Sequence, residues 1–156
     1  MKDKLFAERV SVEQVEEGQE LAPKFDENGL LPVITMDFHT KDVLMLGYMN
    51  TDSFKLTLKT KQAHYYSRSR EVVWHKGATS GLIQHVKELR IDDDQDALWM
   101  IVEVEGSASC HVGYRSCFYR SIEQDENGLF KLNFCETEKT FDPKEVYGDA
   151  PNPTKL

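Results

Sequence analysis

The chain has 156 residues, of which 40% are hydrophobic, and a formal net charge of −8. This length accommodates one domain with a sizeable core and is too short for two ordinary domains. The negative charge argues against general nucleic-acid binding, which needs a basic surface. A small anionic substrate can still bind where a metal or local Arg and Lys residues neutralise it.

The sequence also indicates a compartment. It contains no run of 18 or more apolar residues, and its N-terminus lacks the apolar core of a signal peptide, so we expect a soluble cytoplasmic protein that does not associate with membranes. The three cysteines are an odd number and fit no disulfide framework. In a reducing compartment, their presence favours thiol chemistry or metal ligation.

Two helix starts are visible in the first half of the chain. Ser11 heads a capping box, which predicts at most a short helix within a peripheral N-terminal arm at residues 1–24. Asn50 or Thr51 can cap a helix over residues 51–61. Since no other segment has comparable helix signals, this is predicted to be the one main helix.

The remaining segments are dominated by strand patterns. Eight strands are predicted from their aromatic, β-branched and apolar residues, at 30–36, 43–49, 63–69, 72–74, 82–91, 97–105, 121–124 and 129–135. The sixth is so continuously apolar that both its faces should be covered. Residues 141–147 could form one more short element. We therefore predict a β-rich, mainly antiparallel α+β fold.

An acidic run, residues 92–96, forms the tip between the fifth and sixth predicted strands. Asp92, Asp94 and Asp96 alternate, so their carboxylates can converge on one hard cation such as Mg²⁺. The run is not an EF-hand loop, because Ala97 stands where that loop needs glycine. The alternative is a solvated acidic turn, since like-charged surface runs are common.

A second candidate site lies around two cysteines. Cys110 and Cys117 are separated by six residues, which is not a zinc-knuckle spacing, so they could be zinc ligands or two buried thiols that pack as small hydrophobes. His111, beside the first cysteine, could act as a base on a metal-bound water. It could equally be a surface histidine.

A third candidate region, residues 65–81, combines cations, hydroxyls and a glycine-bounded loop. Such a loop can offer backbone N–H groups and hydroxyl oxygens to a phosphate, while Arg and Lys supply charge. The candidate substrate-binding residues are Ser67, Arg68, Arg70, Trp74, Lys76, Thr79 and Ser80. No P-loop pattern is present, so nucleoside triphosphate hydrolysis is not expected. Taken alone, the region could also be an exposed polar hairpin.

Taken together, these pieces resemble the phosphoribosyl-AMP cyclohydrolase family of histidine biosynthesis. The matching blocks are residues 25–30, 43–50, 66–70, 74–81, 92–96, 110–120 and 141–148. They keep the order and approximate spacing of the family. The resemblance therefore delimits a cyclohydrolase domain at 25–148, followed by a tail at 149–156.

The resemblance implies a metal-dependent hydrolase that opens the adenine ring of phosphoribosyl-AMP between N1 and C6. Family members use zinc and Mg²⁺, and they build shared active sites between the chains of an intertwined homodimer. By position, His111 would be the general base. Thiols would bind zinc and carboxylates would bind Mg²⁺, the implied ligands being Cys110, Cys117, Asp92, Asp94 and Asp96.

One departure from the family pattern affects the zinc site. The family motif usually runs Asp-Cys-Asp-x-Asp, with the cysteine as third zinc ligand, and Asp93 stands at that position here. Exchanging a soft thiolate for a hard oxygen should weaken zinc binding. Asp93 could ligate directly, which we favour because it keeps the ligand count; otherwise Cys135 substitutes, or the metal is absent or different. Ala78, in place of a frequent glutamate, is a lesser departure.

This departure leaves two alternative functions open. A relative that lost its third zinc ligand could be an inactive or regulatory nucleotide-binding protein, which metal analysis would reveal. A hydrolase of the same kind could also act on another purine-like ring, which substrate profiling would distinguish.

Overall fold

The computed structural model describes residues 4–106 and 108–156. Its helices and strands are α1 Val12–Glu17, β1 Leu31–Asp37, β2 Val43–Met49, α2 Thr51–Thr60, β3 His64–Ser67, β4 Val72–His75, β5 Gln84–Ile91, β6 Leu98–Val104, β7 Arg120–Gln124, β8 Phe130–Phe134 and α3 Pro143–Tyr147. All eight predicted strands and the main helix are confirmed, with small shifts at their ends. Among the described residues, no helix has the length and apolar character needed to cross a membrane.

The strands form one four-stranded sheet, in the order β2-β1-β6-β5, and two separate hairpins, β3-β4 and β7-β8. The β-rich prediction is confirmed, but the central sheet is mixed because β1 and β6 run parallel. The intervening helix α2 and hairpin β3-β4 return the chain to the other side of β1, so that β6 arrives in the same direction as β1. The other four strand pairs are antiparallel.

The hydrophobic core lies between one face of this sheet, helix α2 and strand β3. Leu31, Val33 and Met100 from the sheet are fully buried and cluster with Phe54 of α2 and Tyr65 of β3. Full burial of such a side chain contributes about 1.5–3 kcal/mol. This packing fixes β2 and β3 side by side, and the cleft described below opens between them.

Strand β6 was predicted to be covered on both faces, and it is less buried than that at one residue. It is central in the sheet, and Leu98, Met100 and Val102 are buried as expected. Trp99, on the opposite face, is 37% exposed, and the Arg90 guanidinium lies 4.8 Å from the centre of its ring. One chain therefore covers only one face of its sheet completely.

The N-terminal arm packs onto the domain. Ser11 caps α1 by accepting a hydrogen bond from the Gln14 backbone N–H at 3.0 Å, as its pattern predicts. Phe6 stacks on Phe54 with ring centroids 5.1 Å apart, and Ala22 is fully buried. The arm is therefore an integral layer over α2 and over the acidic tip of the β5-β6 hairpin.

Candidate functional site

The two cysteines lie in one loop, residues 108–119, between β6 and β7, called here the thiol loop. The Cys110 N–H donates to the Tyr114 carbonyl at 3.2 Å, which closes a tight turn. The Cys117 N–H donates to the Leu44 carbonyl at 2.7 Å, which fastens the loop to strand β2. These backbone bonds close the turn that carries Cys110 and anchor the Cys117 end of the loop to β2.

The two thiols are free and form no disulfide, and they lie near enough for each to shift the pKa of the other. A hydrogen bond from the Cys117 thiol lowers the pKa of Cys110 to about 6, with further help from loop N–H groups and Lys76. The same interaction raises the pKa of Cys117, a residue that is exposed at the surface of the loop. Two adjacent sulfurs that share one negative charge near neutral pH are a soft donor pair of the kind that zinc prefers.

Lys76 lies against this pair. Its side chain is only 4% exposed, and its ammonium group donates to the Ser109 carbonyl at 2.5 Å. Burial lowers the pKa of Lys76, while the thiols of Cys117 and Cys110 oppose that shift. Sequence reasoning assigned this lysine to phosphate, whereas the structure turns it inward, toward the thiol loop.

One ring nitrogen of His111 has no hydrogen-bond partner among the described residues. This atom, Nε2, is shielded from solvent. Burial and the nearby Lys76 charge lower the pKa of His111, and only Asn152 of the tail opposes them. The imidazole is therefore neutral near pH 7, which is the state in which it can accept a proton.

A buried series of hydrogen bonds, called here the buried chain, connects Thr35 of β1 to Ser109 of the thiol loop. The hydroxyl groups of Thr35 and Tyr65 lie 2.7 Å apart, and the Tyr65 hydroxyl donates to Gln84 Oε1 at 2.6 Å. The Gln84 amide then donates to Ser109 Oγ at 3.1 Å. Burial raises the pKa of Tyr65, so its hydroxyl keeps the proton that it donates. Sequence patterns did not indicate this chain, since its members are far apart in sequence.

Arg115 fixes the outer side of the thiol loop and was also missed by sequence reasoning. Its guanidinium contacts Asp42 at 3.1 Å, in the β1-β2 turn, and Glu136 at 3.0 Å, after β8. Glu136 in turn accepts the Ser116 N–H at 3.3 Å. A lone arginine within a stretch of small and aromatic residues was the only sequence signal for this role.

The acidic tip is organised as a compact turn. Asp92 Oδ1 accepts the N–H groups of Asp96 at 2.9 Å and Ala97 at 3.1 Å. Carboxylate oxygens of Asp92, Asp94 and Asp96 all lie within 4.8 Å of one another. Hydrogen bonding to Asp94, with lesser effects of burial and Asp92, raises the pKa of Asp96 to about 6. Three convergent carboxylates fit a hard divalent cation such as Mg²⁺.

The acidic tip and the thiol loop attach to opposite ends of β6. This strand has seven residues, which span roughly 20 Å. Within the described part of the chain, the three carboxylates form the only group of three or more ligand atoms that close together. Neither Asp93, which is exposed at the tip, nor Cys135 therefore joins the two thiols as a third ligand within one chain.

An open cleft of about 450 Å³ lies between β2 and the β3-β4 hairpin. Its walls include Tyr48, Tyr66 and Trp74, and the Arg68 guanidinium lies 4.0 Å from the centre of the Tyr48 ring. The volume falls within the range of small-molecule sites, and the aromatic walls with a cation suit a planar ring that carries phosphate. Tyr65 also lines the cleft, and its hydroxyl belongs to the buried chain. The cleft is therefore connected to the thiol loop through these hydrogen bonds.

The predicted substrate-binding residues divide into two groups. Arg68 and Trp74 line the cleft, and Ser67 lies beside it, where its hydroxyl accepts the Arg70 Nε–H at 3.3 Å. The remaining hydroxyl residues, Thr79 and Ser80, belong to the loop at 76–81 and do not line this cleft. Sequence reasoning missed Tyr48 and Tyr66, for which aromatic alternation across β2 and β3 was the available signal.

Comparison with known protein sequences identifies relatives of this chain. A family model described as phosphoribosyl-AMP cyclohydrolase matches residues 45–119. Proteins named phosphoribosyl-AMP cyclohydrolase are 49% identical over 135 residues in Rhodopseudomonas palustris strain BisA53, 47% over 137 in Nitrobacter winogradskyi and 48% over 135 in Rhizobium rhizogenes. These alignments cover 86–88% of this chain and 90–94% of each relative. The matched segment contains the cleft, the acidic tip and the whole thiol loop.

Proposed function

This chain belongs to the phosphoribosyl-AMP cyclohydrolase family, and from that membership we propose that it hydrolyses the N1–C6 bond of the adenine ring of phosphoribosyl-AMP in histidine biosynthesis. The observation that carries this proposal is the pair of interacting free thiols, Cys110 and Cys117, next to His111, whose Nε2 atom has no hydrogen-bond partner among the described residues. A soft metal-binding pair next to a proton acceptor is what hydrolysis by an activated water needs. The relatives carry the name of the enzyme, so a regulatory relative is not favoured.

Each group of residues in the site would have a separate role in the reaction. Zinc at the two thiols would supply Lewis-acid activation of water, and Mg²⁺ at the acidic tip would supply charge for phosphate groups. His111 Nε2 would take a proton from the water as its oxygen bonds to C6. That proton can then go to N1 as the N1–C6 bond breaks, and the second proton of the water goes to the exocyclic nitrogen as C6 becomes the carboxamide carbonyl, which balances the hydrolysis.

The cleft would hold the nucleotide during this reaction. Tyr48 and Trp74 offer aromatic surfaces to the purine, and Arg68 and Arg70 carry the charge that phosphate requires. Lys76 would remain with the thiols, where its positive charge offsets the negative charge of the sulfurs. We expect such an enzyme to act on its nucleotide in the cytoplasm.

The proposal is tested by assaying the purified protein on phosphoribosyl-AMP with Zn²⁺ and Mg²⁺ supplied. Ring opening is expected in the wild type, and Arg68→Met should raise KM about tenfold, because a charge-assisted hydrogen bond contributes about 1.5–3 kcal/mol. Lys55→Met is the matched control, since Lys55 also lies over an aromatic ring, 5.6 Å from Phe6, but away from the cleft. Absence of ring opening by the wild type would contradict the assignment.

The protein is further proposed to act as a homodimer with shared active sites. Asp93 and the thiols attach to opposite ends of β6, so a site that combines them draws on two chains. The β7-β8 hairpin supports this, because one of its faces is apolar and exposed: Ile122 is 76% and Phe130 is 73% exposed. A two-stranded hairpin is marginally stable alone, so this face should be covered by a second copy.

Light scattering on the purified protein should give a mass about twice the 18.0 kDa of one chain. Ile122 and Leu132 are cross-strand partners on the apolar face, so Ile122→Gln combined with Leu132→Gln should shift the mass toward the monomer. Lys131→Gln, on the opposite face of the same hairpin, should leave the dimer intact. A wild type that remains monomeric at micromolar concentration would exclude the shared site.

A further inference from the structure

The acidic tip contains one residue that does not behave like its neighbours. Gln95 stands between Asp94 and Asp96 in an exposed turn, yet it is only 5% exposed. Its backbone is in the left-handed region, with φ of 59°, which an unbranched non-glycine residue adopts only at some cost. A buried amide in a strained position requires specific partners, because burial of unpaired polar atoms is unfavourable.

The N-terminal arm provides all of those partners. Gln95 Oε1 accepts the Ala22 N–H at 2.8 Å, and Nε2 donates to the carbonyls of Val15 at 3.0 Å and Glu20 at 3.3 Å. The Gln95 carbonyl accepts the Lys24 N–H at 2.7 Å. Both ends of the side-chain amide and the backbone are thus bonded to residues more than 70 positions earlier in the chain.

A second arm residue contacts the same turn. Arg9 donates to the Ala22 carbonyl at 2.6 Å and to the Asp94 carbonyl at 3.0 Å, so it ties the arm to the residue before Gln95. On the inner side, the Gln95 N–H donates to the Asp92 carbonyl at 3.1 Å. The backbone that carries Asp92, Asp94 and Asp96 is therefore held from both sides.

The hydrogen bonds from the arm to Gln95 and Asp94, called here the clamp, oppose the electrostatic repulsion among the three carboxylates of the tip. Three carboxylates within 4.8 Å repel one another in the absence of a cation, so an unrestrained turn would open. Opening would cost cation affinity, since the carboxylates would have to be gathered again at each binding event. A turn that is already closed avoids this cost.

We propose that Gln95 is a positioning residue through which the N-terminal arm, residues 7–24, holds the three carboxylates of the acidic tip ready for a divalent cation. The inference rests on the proposed role of the tip as the Mg²⁺ site. It assigns to the arm a function in metal binding. It also explains why Gln95, the one residue of the acidic run with an amide side chain, is buried.

The test compares Mn²⁺ binding, followed by electron paramagnetic resonance as a probe of the Mg²⁺ site, in the wild type and two variants. Gln95→Asn keeps the amide and tolerates the left-handed backbone, but it is one methylene too short to reach Ala22. Gln95→Gly relieves the backbone and removes the side chain. Both should raise the dissociation constant of Mn²⁺ about tenfold. Gln124→Asn, which shortens the glutamine at the end of β7, is the matched control and should bind as the wild type does.

Three further readouts separate positioning from a general loss of structure. Circular dichroism should remain native, and excess Mg²⁺ should restore the kcat of Gln95→Asn, which it would not do for a damaged fold. Should a Gln95 variant fail to fold, Arg9→Met, which cuts only the bonds to Ala22 and Asp94, should raise the Mn²⁺ dissociation constant severalfold. Wild-type affinity in Gln95→Asn and Gln95→Gly would overturn the proposal.

Failure of the metal site itself has a different signature. A wild type that takes up no Mn²⁺ at the tip would refute the Mg²⁺ role proposed above. In that case hydrogen exchange at the amides of Asp96 and Ala97 decides about the clamp alone, because both donate to Asp92. Faster exchange in Gln95→Asn than in the wild type supports the clamp, and equal exchange refutes it.

Discussion

His111→Ala is expected to lower kcat by at least about a hundredfold while the protein keeps its fold. A positioned general base contributes about 10²–10⁴ in rate. The fold should tolerate the change because His111 Nε2 has no hydrogen-bond partner among the described residues, so its removal breaks no bond of that atom. Steady-state kinetics on phosphoribosyl-AMP and a thermal unfolding curve measure the two effects.

A control variant and a chemical rescue test whether the loss of rate is specific to His111. His39→Ala removes an exposed histidine that bonds Glu103 at 3.0 Å, and it should leave kcat unchanged. Millimolar imidazole should restore part of the rate of His111→Ala, because a small base can enter the vacated space. A fully active His111→Ala protein would refute the role of His111 as the base.

Asp93→Cys is expected to tighten zinc binding by about one to two orders of magnitude. The substitution exchanges a hard carboxylate for the soft thiolate that zinc prefers, and even changes outside the ligand shell alter metal affinity by about 10–100-fold. Competition against a chromophoric zinc chelator measures the dissociation constant. Activity on phosphoribosyl-AMP, assayed in parallel, shows whether the tighter metal is also the catalytic one.

The controls distinguish the three ways in which the site can be completed. Asp52→Cys adds a thiol to the exposed surface of α2 and should not change zinc affinity. Asp93→Ser should lose zinc if Asp93 is the third ligand, whereas Cys135→Ser should lose it if that cysteine substitutes. Zinc content that is unchanged in both variants would exclude both residues as ligands.

Local sequence patterns predicted most of the secondary structure correctly. The capping signals at Ser11 and Asn50 begin α1 and α2, and the turn at 125–128 joins β7 and β8. These features depend on interactions within a few residues, which a sequence displays directly. The parallel pairing of β1 with β6 was not predicted, because it depends on the path of the intervening 60 residues.

The same distinction between local and long-range interactions applies to the candidate site. The carboxylates, thiols and histidine were proposed from their type and spacing, since metal-binding and catalytic chemistry use few residue types, and their roles stay predictions. The burial of Lys76 and Gln95 was not predicted, because it depends on partners distant in the chain. Lys76 has the composition of a phosphate ligand and lies instead against the thiols, and Gln95 has the composition of a solvated turn and is buried under the arm.

By itself the sequence determined the elements and the reaction family, because these follow from short patterns and from a motif set that is kept in order. Only the tertiary structure decided that Cys110 and Cys117 lie near each other while the acidic tip attaches to the other end of β6, and that the arm bonds to that tip through Gln95. Burial and hydrogen bonding between distant segments set these relations, and spacing along a chain does not record which distant surfaces will meet.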